Sequence, residues 1–302
     1  MDKVDERFEE AKRKYAVTEE ELDDMYIRTR DSIFAGKRPE TKHAPIAMVM
    51  GGQPGAGKSG LVMKTRQDFR NMGRDVIVLD VDAYRGFFKN AAALAQEYPE
   101  YYSDITDVAT GYVMKRLLEE ATIPNGYNFI FEGTLATPQI IETIRRFGPQ
   151  YDIRARVIGV SKIESTLSIF ERYLEMKKRI GVGRLTTIAA HDKRYDGFTT
   201  TALTLEKIGI GVEVFKRNPK LQADPILLYG TGAIGLPHKT VLEALTMARL
   251  ESHNACLQNA EARLASINED FQSLDEQTDI QTELAKLNEL FDGVLKKTTE
   301  GR

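Results

Sequence analysis

The chain has little of the chemistry that cysteine and histidine provide. Its single cysteine, Cys256, stands among 302 residues, so no disulfide can form within the chain. A chain without disulfides is typical of a reducing compartment, and we expect Cys256 to be an ordinary helix residue rather than a nucleophile. The four histidines lie far apart and follow no spacing that is typical of a metal site.

Long apolar runs and strong net charge are missing as well. No stretch approaches the roughly 18 apolar residues of a membrane-spanning helix, and the N-terminus is too acidic and polar for a signal peptide. We therefore expect a cytoplasmic protein that does not enter the membrane. The formal net charge is -3, which gives no bulk attraction to nucleic acid.

A glycine-rich stretch after an apolar run is the strongest motif in the chain. Residues 46–59 read IAMVMGGQPGAGKS, and the last eight fit G-x-x-x-x-G-K-[ST] at every fixed position. Such a loop presents backbone N–H groups to phosphate, while its lysine reaches the β- and γ-phosphates and its serine hydroxyl binds Mg²⁺. The predicted nucleotide-binding residues are Gly52, Gln53, Pro54, Gly55, Ala56, Gly57, Lys58 and Ser59.

Strand-like and helix-like segments alternate from about residue 46 to about residue 215. This alternation predicts an α/β fold in which helices flank both faces of a parallel sheet. Ligands in such sheets bind at the carboxyl ends of the strands. The predicted strands begin with the apolar run before the glycines and continue with Val76–Leu79, Tyr127–Phe131, Ile153–Val160, Val212–Phe215 and Ile226–Tyr229, of which the last two suit a hairpin.

Charged residues near two predicted strand ends are candidates for phosphoryl-transfer chemistry. Asp80 and Asp82 follow one strand, and either carboxylate can take a proton from an acceptor hydroxyl or serve as a helix cap. Their spacing puts both on the same face of a strand, so periodicity does not choose between them. Glu132 and Thr134 follow the next strand and can bind a magnesium-bound water or substrate hydroxyls.

Two arginines later in the chain are candidates for holding phosphate. Arg172 lies on a long predicted helix, and Arg184 follows a Gly-Val-Gly sequence that permits movement. An arginine binds phosphate through two parallel hydrogen bonds, and a segment between two helices suits a lid. A solvated basic helix surface is the competing interpretation, because five other lysines and arginines lie nearby: Lys177, Lys178, Arg179, Lys193 and Arg194.

Five motifs in order give a more specific prediction. GGQPGAGKS, VIVLDVDAYR, GYNFIFEGT, FERY and R-x-T-x-x-x-A-H-D span about residues 46–215. This series resembles the zeta toxin family of bacterial toxin–antitoxin systems. The resemblance implies a P-loop kinase fold and transfer of the γ-phosphate of ATP or GTP to the 3′-hydroxyl of UDP-N-acetylglucosamine, with Mg²⁺ as cofactor. The product cannot enter cell-wall synthesis.

The resemblance also assigns roles to individual positions. It implies that Lys58 and Ser59 hold phosphate and Mg²⁺, and that Asp82 rather than Asp80 is the base. It further implies that Glu132 and Thr134 bind substrate. Two arginines then bind the phosphates, and these are Arg172 and Arg184. A small helical antitoxin of the epsilon type is the implied partner.

Two positions depart from the family pattern, and both concern substrate recognition. Gly111 stands where many members carry a substrate-contacting glutamate, although Asp104 or Asp107 can substitute for it. Leu135-Ala136 stands where members often have an arginine. The kinase assignment is thus firmer than the choice of acceptor. The open alternatives are a kinase for another small molecule, a kinase for nucleic-acid ends, which the net charge disfavours, and a nucleotide-dependent binding module.

The texture of the sequence suggests three regions. We expect a helical N-terminal extension at 1–42, a P-loop kinase domain at 43–235 and a helical C-terminal extension at 236–302 with two helices and a break near 268–279. The sequence leaves open whether the first region acts as a built-in inhibitor.

Overall fold

The computed structural model describes most of the chain, and all structural statements concern that part. The described residues are 6–98, 101–122, 125–137, 139–181, 183, 185–220, 223–274 and 278–300. Contacts divide the chain into two compact units, each built from several segments. The first unit contains Met1–Val49, Thr65–Gly133 and Glu142–Arg154, and the second contains Met50–Lys64, Thr134–Ile141 and Ala155–Arg302.

Six strands form one sheet in the order β2-β3-β1-β4-β5-β6. Their bounds are β1 Ile46–Gly51, β2 Ile77–Asp80, β3 Phe129–Glu132, β4 Asp152–Gly159, β5 Gly211–Lys216 and β6 Ile226–Gly230. Within the first unit β2 and β3 are parallel, and within the second β5 and β6 form an antiparallel pair. The α/β sheet is confirmed, and so is the expected hairpin at its end.

Twelve α-helices accompany the strands in the described residues. Their bounds are α1 Glu6–Lys14, α2 Glu19–Phe34, α3 Lys58–Asn71, α4 Val81–Tyr84, α5 Ala91–Glu97, α6 Tyr102–Thr122, α7 Gln139–Arg145, α8 Lys162–Ile180, α9 Ile188–Lys207, α10 Val241–Leu257, α11 Ala260–Gln272 and α12 Thr278–Glu300. No helix in this part of the chain is long and apolar enough to cross a membrane.

The N-terminal helices are integral to the first unit. Thr18 and Glu21 form a capping box that starts α2. Helix α2 then packs along α6, where Glu120 accepts hydrogen bonds from Tyr26 at 2.5 Å and from Arg30 at 2.8 Å. Because both donors converge on one half-buried carboxylate, this contact fixes the register of the two helices.

A cluster of polar side chains closes the amino-terminal ends of the first unit's strands. We call Glu40, Arg74 and Asn128 the amino-end cluster. The Asn128 side chain accepts from the Ile46 backbone N–H at 2.9 Å and donates to the Asp75 carbonyl at 2.9 Å. Arg74 forms an ion pair with Glu40 at 2.7 Å. These groups satisfy backbone atoms that begin the strands, so the cluster is structural.

The second unit has a hydrophobic core that joins α8 to the C-terminal helices. The members of this core include Leu167, Phe170 and Tyr173 from α8, with Phe271 and Phe291 from α11 and α12. The Tyr173 and Phe271 rings stack with 5.7 Å between their centroids. The C-terminal helices therefore bury one side of α8.

One helix prediction was wrong in detail. The C-terminal region contains three helices, because the chain leaves the helical conformation at Asn259 (φ -134°, ψ 7°) before α11 begins. The apolar spacing continues across this break and does not reveal it. Helix α6 begins at Tyr102, and the hydroxyls of Thr106 and Thr110 within it donate to carbonyls one turn earlier.

Candidate active site

The glycine-rich loop leaves β1 and enters α3 at Lys58, as predicted. Gly55 has φ +75°, and a Cβ there would collide with the backbone carbonyl of Ser165. Only glycine meets both conditions at this turn. The first turn of α8, which carries Ser165, is thus the floor on which the loop lies.

Lys58 and Ser59 stand at the start of α3. The Lys58 ammonium donates to the carbonyls of Gly52 at 3.1 Å and Gln53 at 3.4 Å. Ser59 is exposed, so its hydroxyl is accessible to a ligand. A helix start preceded by turning glycines offers the N–H groups and partial positive charge that a phosphate requires. The residues present therefore fit a nucleotide phosphate with its Mg²⁺.

The side chain of Gln53 anchors the glycine-rich loop to two neighbouring elements. Its side chain is fully buried, and its amide donates to the Val160 carbonyl at 2.8 Å and to the Ser165 hydroxyl at 3.3 Å. Val160 follows the last residue of β4, and Ser165 belongs to α8. One side chain thereby ties the loop to a strand end and to a helix start.

Arg217 contacts the loop from the end of β5, and sequence reasoning missed it. Its guanidinium donates to the Gly55 carbonyl and to Glu164, each at 2.5 Å. Glu164 also pairs with Arg263 of α11. A chain of ion pairs therefore connects the glycine-rich loop with the C-terminal helices inside the second unit. No local pattern in the sequence marks Arg217, because the contact spans 162 positions.

The two aspartates after β2 have separate roles in the first unit. Asp80 caps α4, since its carboxylate accepts from the Asp82 backbone N–H at 2.9 Å. The Asp82 side chain is 69% exposed and pairs with Arg85 Nε at 3.1 Å. The cap therefore fixes the start of the helix that carries Asp82, while the Asp82 carboxylate faces solvent.

Arg85 makes most of the polar contacts near Asp82 in the first unit. Its side chain is 8% exposed and pairs with Asp107 at 2.6 Å as well as with Asp82. It also donates to the Thr106 hydroxyl at 2.6 Å and the Ser103 carbonyl at 2.9 Å. Burial opposes its charge, yet the hydrogen bonds to the carboxylates raise the pKa of Arg85. One permanent cation thus holds two exposed carboxylates; we call Asp82, Arg85 and Asp107 the carboxyl-end cluster.

Glu132 ends β3 and is a register partner of Asp80 across the parallel pair. Thr134 follows it and is half-buried. Leu135 is buried with φ +50°, and its side chain occupies the space that a Cβ on Gly51 would need. Leu135 therefore packs within the fold.

Of the two arginines predicted to bind phosphate, only Arg172 belongs to the residues that the structure describes. Arg172 lies on α8 and is exposed. Arg184, the second predicted phosphate ligand, lies outside the described residues. Cys256 is buried, and burial raises the pKa of its thiol to about 12, so it is protonated at neutral pH. This agrees with its expected role as a packing residue.

The predicted site residues belong to both compact units. The glycine-rich loop, Thr134 and Arg172 lie in the second, and Asp82 and Glu132 lie in the first. Within the described residues, no group of three or more histidine, cysteine or acidic side chains could hold a metal. Sequence reasoning also missed Arg85, although its position three residues after Asp82 on a helix is a usable signal.

Comparisons with known proteins agree with the fold. A protein-family model described as "Zeta toxin" matches residues 30–222, which is more than half of the chain. A protein named Toxin zeta from Enterococcus hirae is 30% identical over 203 residues, covering 65% of this chain and 66% of that protein. The matched stretch thus spans just under two thirds of that relative.

Two further similarities come from Streptococcus pneumoniae. A protein named Toxin PezT is 25% identical over 206 residues, covering 67% of this chain and 79% of that protein. A solved structure from the PezAT chromosomal toxin-antitoxin system superimposes with a TM-score of 0.67 at 22% identity, covering 84% of this chain and 98% of that one. The structural match concerns the fold.

Proposed function

The chain belongs to the zeta toxin family, and on this premise we propose that it is a kinase that phosphorylates a UDP-activated amino sugar. The proposed donor is ATP, or GTP, with Mg²⁺, and the proposed acceptor is the 3′-hydroxyl of UDP-N-acetylglucosamine. The carrying observation is an exposed carboxylate, Asp82, held by the buried cation Arg85 in a chain that also has a complete phosphate-binding loop.

In the proposed reaction the second unit binds the donor. Backbone N–H groups of the loop bind the phosphates, and Lys58 neutralises charge on the β- and γ-phosphates. Ser59 would hold the Mg²⁺, which supplies positive charge to the transferring group when bound. Arg172 and Arg184 would bind the phosphates during transfer. Support for this assignment comes from the accessible Ser59 hydroxyl and the exposed position of Arg172.

The first unit supplies the acceptor side. Asp82 would accept the proton of the sugar hydroxyl as the phosphoryl group arrives. Arg85 would hold this carboxylate in position through their ion pair at 3.1 Å. Glu132 and Thr134 would bind the sugar hydroxyls. Asp107, held by the same arginine, is our candidate for the acidic substrate contact that Gly111 cannot make.

We also propose an antitoxin as the protein partner of this chain. The structure that matches the fold comes from a toxin-antitoxin system. Helix α2 packs against α6 within the first unit, which favours a separate antitoxin over an inhibitor formed by the N-terminal extension. We further propose the cytoplasm as its location, where nucleotide sugars are available. The three sequence regions remain our proposed domains.

The test is phosphorylation of defined sugars. The full chain is incubated with MgATP and, separately, with UDP-N-acetylglucosamine, UDP-N-acetylgalactosamine and UDP-glucose. Mass spectrometry should show a gain of one phosphate, strongest with UDP-N-acetylglucosamine, and NMR should place it on the 3′-oxygen. Absence of a phosphorylated product with every sugar would contradict the proposal. Phosphate on another oxygen would contradict the 3′ assignment alone.

A further inference from the structure

A buried row of polar side chains begins under the glycine-rich loop, entirely within the second unit. The Gln53 amide donates to the Ser165 hydroxyl, whose oxygen lies 2.9 Å from His191 Nε2. His191 Nδ1 lies 3.0 Å from the Asp192 carboxylate, which pairs with Lys162 at 2.8 Å. Gln53, Ser165 and His191 are all fully buried. The proposed phosphoryl transfer assigns no role to Ser165, His191, Asp192 or Lys162.

The direction of each hydrogen bond follows from the chemistry of the groups. A carboxylate only accepts, so the His191 proton lies on Nδ1 and points at Asp192. The neutral ring then presents Nε2 as an acceptor for the single proton of the Ser165 hydroxyl, for which the Ser161 carbonyl at 2.8 Å is the competing acceptor. The same hydroxyl oxygen accepts from Gln53. A neutral His191 thus orients Ser165 so that it receives the Gln53 amide.

The surroundings favour the neutral ring. Burial lowers the pKa of His191 and outweighs the opposing effect of Asp192. The positive charges of Lys162 and Arg194 also lower the pKa of His191, because they oppose protonation of its ring. The Tyr195 ring stacks on His191 with 6.1 Å between the ring centroids. Arg249 from α10 lies over that tyrosine. Burial and the neighbouring cations thus lower the pKa of His191 and favour the neutral ring.

We propose that His191 is a positioning residue for nucleotide binding, which acts on the phosphate-binding loop through Ser165 and Gln53. The first turns of α8 and α9 meet at the Ser165–His191 contact, and Gly55 rests on the Ser165 backbone. Fixing Ser165 therefore fixes the loop at two points, through the Gln53 side chain and through the Gly55 backbone. This inference rests on the proposed nucleotide binding.

The experiment compares variants that remove the link in different ways. Ser165→Ala removes the relay oxygen. His191→Phe keeps a buried planar ring without hydrogen bonds, and His191→Gln restores an acceptor. Thr166→Val is the matched control, because the Thr166 hydroxyl is buried on the same helix and donates to a backbone carbonyl, that of Lys162, at 2.8 Å.

Two measurements on the full chain distinguish a role in positioning the phosphate-binding loop from a general loss of folding or activity. Calorimetric titration with MgATP should show dissociation constants about tenfold higher for Ser165→Ala and His191→Phe, the loss expected for one buried hydrogen bond between loop and floor. His191→Gln should recover most of this affinity, and Thr166→Val should match the wild type. Turnover at saturating ATP should change by no more than about twofold, because positioning before binding affects KM rather than kcat.

Amide hydrogen exchange gives a readout that needs no nucleotide. Peptides covering residues 52–59 should exchange faster in Ser165→Ala and His191→Phe, and at the wild-type rate in Thr166→Val. Unchanged loop exchange in a folded Ser165→Ala variant, or equal damage from Thr166→Val, overturns the inference. A wild type that does not bind MgATP overturns the nucleotide function, and with it the role of His191 in binding, whatever the exchange rates show.

Discussion

Each end of the β2–β3 pair has an arginine that pairs with carboxylates, but the carboxylates differ in how far they are exposed to solvent. At the amino ends, Glu40 and Arg74 form an ion pair in which the side chains are 9% and 13% exposed. At the carboxyl ends, Arg85 is 8% exposed, whereas its partners Asp82 and Asp107 are 69% and 59% exposed. The cation is buried at both ends, but the carboxylates face solvent only at the second.

This difference distinguishes a carboxylate that stabilises the fold from one that is available to a ligand. Glu40 accepts from the backbone N–H groups of Lys42 and His43 and from the Asn128 amide, so its oxygens are occupied by the fold. The Asp82 side chain is instead mostly exposed to solvent, as the proposed contact with a substrate hydroxyl requires. Changes at the amino-end cluster should therefore alter stability, and changes at the carboxyl-end cluster should alter activity.

The largest expected effect is on turnover. Asp82→Asn keeps the shape of the side chain but removes its basicity, so kcat for sugar phosphorylation should fall on the order of 10³-fold. ATP affinity, measured by calorimetry, should stay near the wild-type value. Asp80→Asn is the matched change at the competing carboxylate and should have a small effect, because asparagine also caps helices. A larger loss from Asp80→Asn than from Asp82→Asn would show that the base is misassigned.

Removing the shared cation should have the second largest effect. In Arg85→Gln two exposed carboxylates lose the charge that positions them, and kcat/KM should fall roughly thirtyfold, the value of a buried charge-assisted contact. Arg116→Gln is the control, since Arg116 lies on α6 and, like Arg85, pairs with an aspartate, in this case Asp23. Equal activity losses in both variants would mean that Arg85 only supports the fold.

Glu40→Gln should lower stability and leave catalysis unchanged. Backbone hydrogen bonds, first that from Lys42, lower the pKa of Glu40 to about 2. A carboxyl whose pKa falls on folding contributes stability above its ordinary pKa of about 4.5 and loses it as the pH falls toward 2. Allowing for solvent screening, the contribution is on the order of 1–2 kcal/mol.

The measurement for Glu40 is urea unfolding at pH 7 and pH 3. The wild type should lose stability between these values, and Glu40→Gln should show a smaller difference because it has no carboxyl to protonate. Sugar phosphorylation at pH 7 should be equal in the two proteins. An activity loss in Glu40→Gln without a stability change would contradict the division between the two ends.

The smallest expected effect concerns substrate affinity. Gly111 is exposed on α6, and a Cβ there meets no atom within 4 Å, so Gly111→Glu fits the fold. If this position can contact substrate, the variant should lower KM for UDP-N-acetylglucosamine severalfold, about one hydrogen bond to a charged group. Steady-state kinetics with Gly111→Gln as a shape control would separate charge from bulk. An unchanged KM would favour Asp107 as the sole acidic contact.

Much of the fold followed from local patterns. The strand bounds differ from the predicted ones by one or two residues, because apolar runs and turn residues act over short stretches of chain. The capping box at Thr18 and the helix end at Gly181 (φ +77°) likewise depend on neighbouring residues only. The break at Asn259 was missed since apolar spacing is the same on both of its sides.

The sequence by itself determined where phosphate can bind. Gly52 to Ser59 fix the loop, because turning glycines followed by a helix start create an anion site without help from distant residues. Only the tertiary structure decided what holds that loop and which of the two aspartates, Asp80, caps a helix. Gln53 meets Ser165 across 112 positions, and Arg85 meets Asp107 across 22. Such pairs depend on how helices pack, and packing is not encoded in the spacing of residues along one segment.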